Sequence, residues 1–335
     1  MNDKATKRKR RRKAKPFFST GCVLLDCVLG GHGWAENRIV NIVGDFSSNK
    51  TGLVIEAMTN FAIKHRDGRI RYAESEHAFD PAFGQQLGLP LDRVEMVRDS
   101  APLVTVEDWY ADVVEFAEQC DKPSLYVLDS LDALTTASDR NKEFGKASYG
   151  GDKAKHVNEL LRKVTGALEN KSITLVIVSQ IRDKMGVTFG EQHTRTGGKG
   201  LDFYASQVLW LYKLKQIKRE RTIKGKKVSR TIGINLKAKC KKNKVGPPLR
   251  ECEMPMYFGY GVDDVETAIT YLIETGHADA MEEIGLPKTV KAAKDATSGM
   301  SDEEYHQTRL ALNKAVPVVW EEMEEMFNMA RSKYG

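Results

Sequence analysis

An apolar run, Arg38-Ile39-Val40-Asn41-Ile42-Val43, leads straight into Gly44-Asp45-Phe46-Ser47-Ser48-Asn49-Lys50-Thr51-Gly52, and a helical pattern follows from Leu53 to Ile63. Strand, small polar loop, Lys-Thr and helix, in that order, is the setting of a phosphate-binding loop. Such a loop wraps backbone N–H groups around a β-phosphate at a helix N-terminus, where the helix dipole favours anions. Lys50 would reach the β- and γ-phosphates, and the Thr51 hydroxyl would serve a Mg²⁺ ion. The usual pattern is G-x-x-x-x-G-K-[ST]; here Asn49 stands where the second glycine is expected. Asn is among the residues that best tolerate left-handed backbone geometry, so the loop is expected to survive the change. Gly44, Ser47, Ser48, Asn49, Lys50, Thr51 and Gly52 are the candidate nucleotide contacts. Taken alone, the loop also admits a chance Lys-Thr at a helix start.

Further short apolar segments recur along the chain: Ile70–Glu74, Arg93–Val97, Leu125–Leu128, Ile173–Ser179 and Val208–Leu214. Amphipathic patterns at Leu53–Lys64, Val106–Gln119 and Asp152–Leu168 lie between them. Strands rich in Val, Ile and Leu alternating with helices predict an α/β fold with a mostly parallel sheet covered on both faces. In such sheets ligands bind at the carboxyl ends of the strands. Three strand ends carry suitable groups. Leu125-Tyr126-Val127-Leu128 ends in Asp129, which can deliver a carboxylate to Mg²⁺ beside the phosphates. Tyr72-Ala73-Glu74-Ser75-Glu76 ends in carboxylates able to orient or deprotonate water. Val178-Ser179 runs into Gln180, placed to sense a γ-phosphate and pass the signal into the segment that follows. Each has a plainer reading as solvated strand-end polarity.

Ser138–Gly151 and Arg182–Gly198 lack periodicity and read as long loops, which are usually functional or disordered. Residues 213–235 read as a β-hairpin turning at Lys224-Gly225-Lys226, and from Val265 the pattern is helical. The predicted organisation is a basic disordered tail at 1–16, a core at 17–264 with loops near 138–151 and 182–198, and a small α-rich domain at 265–335.

Charge points to a partner. The net charge is +6, but it is concentrated: residues 4–15 are nearly all basic, and Lys213–Lys244 has Glu220 as its only acid. Two basic blocks on a near-neutral body predict a polyanion partner, nucleic acid above all. For the first block, a merely solvated tail is an equal reading. No apolar run is long enough to span a membrane, and no apolar segment follows the basic N-terminus to make a secretory signal. The five cysteines lack C-x-x-C spacing and read as reduced thiols of a cytoplasmic protein.

Taken together in chain order, these residues resemble the RecA-type recombinase family, in its bacterial and phage branch. The resemblance runs from about Phe18 to Asp263. It is carried by Ser19-Thr20-Gly21 with Leu25-Asp26 and Gly30-Gly31, the phosphate loop, Ala78-Phe79-Asp80-Pro81, and Leu128 to Leu134. It continues through Ser179-Gln180-Ile181-Arg182, Gly186 to Gly190, Thr196-Gly197-Gly198, Phe203 to Ser206, and Lys242-Asn243-Lys244 with Pro247-Pro248. It implies a RecA-type ATPase core using ATP and Mg²⁺, a helical homo-oligomeric filament on single-stranded DNA, and strand exchange with homologous duplex.

By the same resemblance Lys50 and Thr51 hold phosphates and Mg²⁺, Asp129 is the second Mg²⁺ residue, and Glu76 activates water. Asp80 and Phe83 lie against adenine, Gln180 senses the γ-phosphate, and Lys242 and Lys244 reach the ATP of a neighbouring subunit. DNA contacts fall on Tyr149, Lys155 and Arg162 in or after the first loop, and on Arg182, Lys184, Met185, Gly197 and Gly198 in the second. For Lys155 and Arg162 a solvated helix face is the simpler alternative. Only the basic tail precedes Phe17-Phe18, where bacterial members carry a helix-plus-strand arm. Filament contacts are then made differently, or a loader or single-strand-binding protein assists. That departure and the basic insertion at 213–235 suggest a phage-encoded member. Two other readings share the core: a nucleic-acid-binding structural or mediator protein with a degenerate phosphate loop, and a helicase or clock-type ATPase.

Overall fold

A computed structural model describes residues 16–76, 79–97, 103–141, 150–183, 193–195 and 198–329. Strand β1 (Phe17–Phe18) pairs with β2 (Trp34–Ala35) around helix α1 (Val23–Val28). An alternating series follows: β3 (Ile39–Gly44), α2 (Lys50–Lys64), β4 (Arg69–Glu74), α3 (Pro81–Gln86), β5 (Val94–Met96), α4 (Val106–Glu118) and β6 (Ser124–Asp129). It continues with α5 (Ala137–Arg140), α6 (Gly150–Ala167), β7 (Ile173–Asp183), β8 (His193–Arg195) and α7 (Gly198–Tyr204). Then come β9 (Gln207–Ile223), β10 (Lys226–Asn243), β11 (Glu251–Tyr257) and β12 (Gly261–Val262). Helices α8 (Asp264–Glu274), α9 (Ala278–Glu283), α10 (Val290–Ser298) and α11 (Asp302–Met326) close the chain.

One large sheet runs β12-β11-β10-β9-β3-β7-β6-β4-β5. From β9 to β5 the pairing is parallel; from β9 to β12 it is antiparallel. The period-two alternation of strands divides the apolar residues between two cores. Val40, Ile42, Leu125, Val127, Val176 and Val178 face α1 and α2. Ile39, Val43, Tyr126, Leu128, Leu175 and Ile177 face α4 and α6, whose Trp109, Phe116, Leu161 and Val164 are fully or almost fully buried. Strands covered on both faces are why the sequence reads as near-continuous apolar runs. The expected α/β architecture, with helices on both faces and at the C-terminus, is what the chain adopts.

The C-terminal helices complete the first core. Val265, Ile269, Leu272, Leu312 and Val316 belong to the same buried cluster as Leu25, Leu53 and Met254. Asp264 accepts from the N–H of Val23 at 2.8 Å and from Arg309 at 3.2 Å, joining α1, α8 and α11.

Three local outcomes differ from the sequence reading. Helix α2 begins at Lys50, not Leu53, because Asn49 turns the loop directly into the helix. The segment at 182–198 is not loop throughout. β7 runs on to Asp183 and pairs antiparallel with β8, Ile181 opposite Arg195; this pairing satisfies the backbone of polar residues that show no apolar alternation. Ser138 to Arg140 is helical, and Gly150 already lies in α6. The hairpin turns where expected, with Lys224 at φ 49 and Gly225 at φ 76, a two-residue turn with both φ positive. Its strands extend into the sheet, far beyond 213 and 235.

Candidate functional site

Parallel register brings the strand ends together. Gly44 lies opposite Gln180, and Glu74 lies opposite Asp129. The phosphate loop, the end of β6 and Gln180 of β7 therefore meet at one edge, the carboxyl edge of the sheet.

The loop is tightly constructed. Ser47 and Asn49 both have φ 58, a left-handed conformation that Asn accepts better than most residues. A Cβ at Gly44 would fall 2.2 Å from Ser48 Oγ, so only glycine leaves room for the buried serine. That serine donates to the carbonyl of Asp45 at 2.8 Å, and Lys50 Nζ donates to the same oxygen at 2.8 Å. The lysine is drawn over its own loop. Burial pushes its ammonium below the ordinary lysine range, against the upward pull of Asp129, Glu76, Asp45 and Asp132.

Thr51 Oγ1 donates to Asp129 Oδ2 at 2.8 Å, and Tyr72 donates its hydroxyl to the same oxygen at 3.1 Å. Burial raises the Asp129 carboxyl above its ordinary range, opposed by these two hydrogen bonds. A hydroxyl and a carboxylate side by side are hard oxygen donors that suit Mg²⁺, which takes one or two protein ligands and completes its shell with phosphate and water. Among the described residues no group of three or more His, Cys, Asp or Glu forms a metal cluster. The donor set fits a phosphate-borne Mg²⁺ and not an all-protein metal cage.

The carboxylates after β4, alike in sequence, have separate tasks. Glu74 is buried and accepts from the N–H of Phe79 at 2.7 Å. Asp80 caps α3, accepting from the N–H of Ala82 at 2.9 Å. Phe83 is half-buried against the first core. Glu76 accepts from the Ser130 hydroxyl and from Gln180 Nε2 on the neighbouring strand ends, the latter at 3.0 Å. Gln180 is itself anchored, its N–H donating to Asp132 Oδ2 at 2.7 Å. Ser130 is fixed by Ser75, whose Oγ accepts from its N–H at 3.0 Å and donates to its carbonyl at 2.8 Å.

Sequence reasoning missed Tyr72, Ser75, Ser130 and Asp132 as members of this network. Ser130 and Asp132 directly follow Asp129, a usable signal. Tyr72 is hidden in a strand as an ordinary core aromatic and could not have been singled out.

Other candidates lie elsewhere. Lys242 and Lys244 do not join the strand-end cluster of their own chain. Lys242 Nζ donates to the carbonyls of Asp202 and Phe203, and Lys244 Nζ donates to that of Phe203 at 2.9 Å, so both sit at the C-terminal end of α7. Burial and the neighbouring Lys244 hold Lys242 below the ordinary lysine range. Lys155 and Arg162 are exposed on α6 and stand seven residues apart on one face. Arg182 lies in β7 opposite Thr194, and Gly198 opens α7. Tyr149, Lys184, Met185 and Gly197 fall outside the described residues, as do His77 and Ala78.

The Ser19-Thr20-Gly21 motif proves to be structural. Ser19 Oγ and the N–H of Thr20 both donate to the half-buried Asp26, at 2.6 and 2.7 Å.

Fold and strand-end geometry together define a parallel α/β protein with a phosphate-loop architecture. A family model for the RecA N-terminal domain matches residues 6–263. The chain belongs to the RecA family. It is 34% identical over 262 residues to Protein RecA of Synechococcus sp. (strain CC9902), a match covering 77% of this chain and 64% of that protein. Protein RecA of Borrelia hermsii is 32% identical over 245 residues, covering 73% and 65% respectively. The chain thus spans less than two thirds of the length of these relatives. All five cysteines are unpaired, and among the described residues no helix is long and apolar enough to cross a membrane.

Proposed function

We propose that this protein is an ATP-dependent DNA recombinase that forms a helical filament on single-stranded DNA and pairs it with homologous duplex. The observation that carries this reading is the junction of two hydrogen-bonded pairs at one sheet edge, Thr51 with Asp129 and Glu76 with Gln180.

In this reading Gly44, Ser47, Ser48, Asn49 and Gly52 shape the phosphate cradle, and Lys50 leaves the Asp45 carbonyl for the phosphates. Thr51 and Asp129 would hold Mg²⁺, which when bound offsets charge on the β- and γ-phosphate oxygens. Glu76, exposed and oriented by Ser130, takes a proton from the attacking water. Gln180 shares its amide between Glu76 and the terminal phosphate, and β7 passes the change toward 184–192. Asp80 and Phe83 border the adenine. Lys242 and Lys244 act across a subunit boundary on a neighbour's nucleotide, stabilising charge in trans.

Lys155, Arg162, Arg182, Lys184, Met185, Gly197, Gly198 and Tyr149 form the DNA surface, with lysine and arginine neutralising phosphates. Residues 17–264 serve as the ATPase core and 265–335 as a small C-terminal α-rich domain. The basic segment 1–16 adds attraction for polyanions. A single-strand-binding protein or loader assists assembly, in the cytoplasm of a bacterial or phage-infected cell.

The test is ATP hydrolysis with and without single-stranded DNA for wild type, Lys50→Ala and Glu76→Gln, with filaments imaged in the same samples. Expected are DNA-stimulated turnover in wild type and loss of nucleotide binding in Lys50→Ala. For Glu76→Gln, ATP-dependent filaments should form while turnover falls by about 10²-fold or more. Normal turnover in Glu76→Gln removes that residue from the role. DNA binding without turnover or nucleotide dependence replaces the recombinase with a structural or mediator protein.

A further inference from the structure

Asn49 closes the phosphate loop at φ 58 and ψ 32, and its side chain makes no capping hydrogen bond to α2. Its Nδ2 is buried with no hydrogen-bond partner, so packing holds the carboxamide in place. It packs on Gly52. A Cβ at position 52 would lie 2.2 Å from Asn49 Oδ1, 2.6 Å from Nδ2 and 2.7 Å from Cγ. The whole carboxamide, not one flexible atom, occupies the space a side chain would need there.

Gly52 gains nothing from glycine's backbone freedom, because it lies within the first turn of α2. Glycine in a helix is disfavoured relative to alanine. Backbone geometry therefore asks for glycine at 49, where the chain has Asn, and not at 52, where it has glycine. The two departures explain each other: the side chain added at 49 fits because the side chain at 52 is missing.

We propose that Asn49 and Gly52 are a matched positioning pair. The Asn49 carboxamide, lodged on the Cα of Gly52, clamps the left-handed turn that aims the N–H groups of Lys50 and Thr51 at bound phosphate. The pair rests on the nucleotide site proposed above, and it supplies that site with the rigidity that a glycine at 49 would not.

Wild type, Asn49→Gly, Gly52→Ala and the double variant test it. Each is titrated with a fluorescent ADP derivative in Mg²⁺ and melted without nucleotide. Gly52→Ala alone is expected to weaken nucleotide binding about tenfold or more and to lower Tm, since the carboxamide must leave its seat. In the Asn49→Gly background the same change should alter affinity by less than about threefold and raise Tm, because alanine favours the helix. A Gly52→Ala protein that folds only when Asn49→Gly is also present reports the same clash. Equal effects of Gly52→Ala in both backgrounds, or failure to fold in both, overturn the pair. Lys50→Ala in the same titration separates the two proposals. If it abolishes binding while the 49 and 52 effects simply add, only the pair falls; if it binds like wild type, the nucleotide site falls too.

Discussion

Glu56, buried, and Asp26, half-buried, are acids outside the strand-end cluster, and they set a pH dependence of their own. Burial pushes Glu56 up to about 7 from the ordinary 4.5, opposed by the N–H of Val262, which donates to its Oε1 at 2.8 Å. Burial pushes Asp26 up to about 6 from 3.8. A carboxyl whose folded pKa exceeds its unfolded one favours folding fully below the unfolded value and loses that contribution as pH rises through the folded value. Stability is therefore lost as pH rises from about 4.5 to about 7 for Glu56 and from about 3.8 to about 6 for Asp26. For Glu56 the shift corresponds to about 3 kcal/mol at most. Glu56→Gln keeps the acceptor for Val262, so urea melts should give a flatter stability profile across that range and a more stable variant at pH 8. An unchanged slope would place the titration elsewhere. Asp129 carries the opposite consequence for function. In its proposed role Asp129 binds Mg²⁺ through its carboxylate, so the raised pKa should make Mg²⁺ affinity fall off at a higher pH than an ordinary aspartate would. A Mg²⁺ titration at several pH values reads this directly.

Among the elements, the ribbon formed by the outer parts of β9 and β10 is the most distinctive. Residues 213–231 are exposed almost throughout and include Lys218, Arg219, Arg221, Lys224, Lys226 and Lys227 around the turn. Such a ribbon gains little from burial, so its charge is available to a polyanion. Replacing these six residues by Gln should weaken DNA binding and reduce its salt dependence by about 0.7 per lost single-strand contact, with DNA-independent ATP turnover unchanged. A salt slope equal to wild type would mean the ribbon does not touch DNA. The hairpin was legible because Gly225 marks a turn between two basic stretches, while the positive φ of Lys224 was not. The extension of β7 to Asp183 was not, because partnership with β8, and not apolar periodicity, makes it a strand.

For the molecule as a whole, the C-terminal helices are part of the first core, so their packing bears on the entire sheet. Leu312 is fully buried on α11 among residues of that core. Leu312→Ala should destabilise the protein by about 2–5 kcal/mol. Fluorescence of Trp34, in the first core, and far-UV circular dichroism should then shift together. Separate transitions would show that the C-terminal helices unfold on their own.

The phosphate loop, the strand ending in Asp129 and the apolar strand running into Gln180 are written in contiguous residues, because period-two apolar runs and loop composition are local properties. The α/β class and the tolerance for Asn49 followed from the sequence for that reason. Tertiary structure alone decided that Gly44 lies opposite Gln180 and Glu74 opposite Asp129. It also decided that Glu76 meets Ser130 and Gln180 on the neighbouring strand ends while Asp80 caps α3, and that Lys242 and Lys244 sit on the end of α7. Those placements depend on strand register and helix packing between residues far apart in the chain, and register is set by which face of each strand is buried.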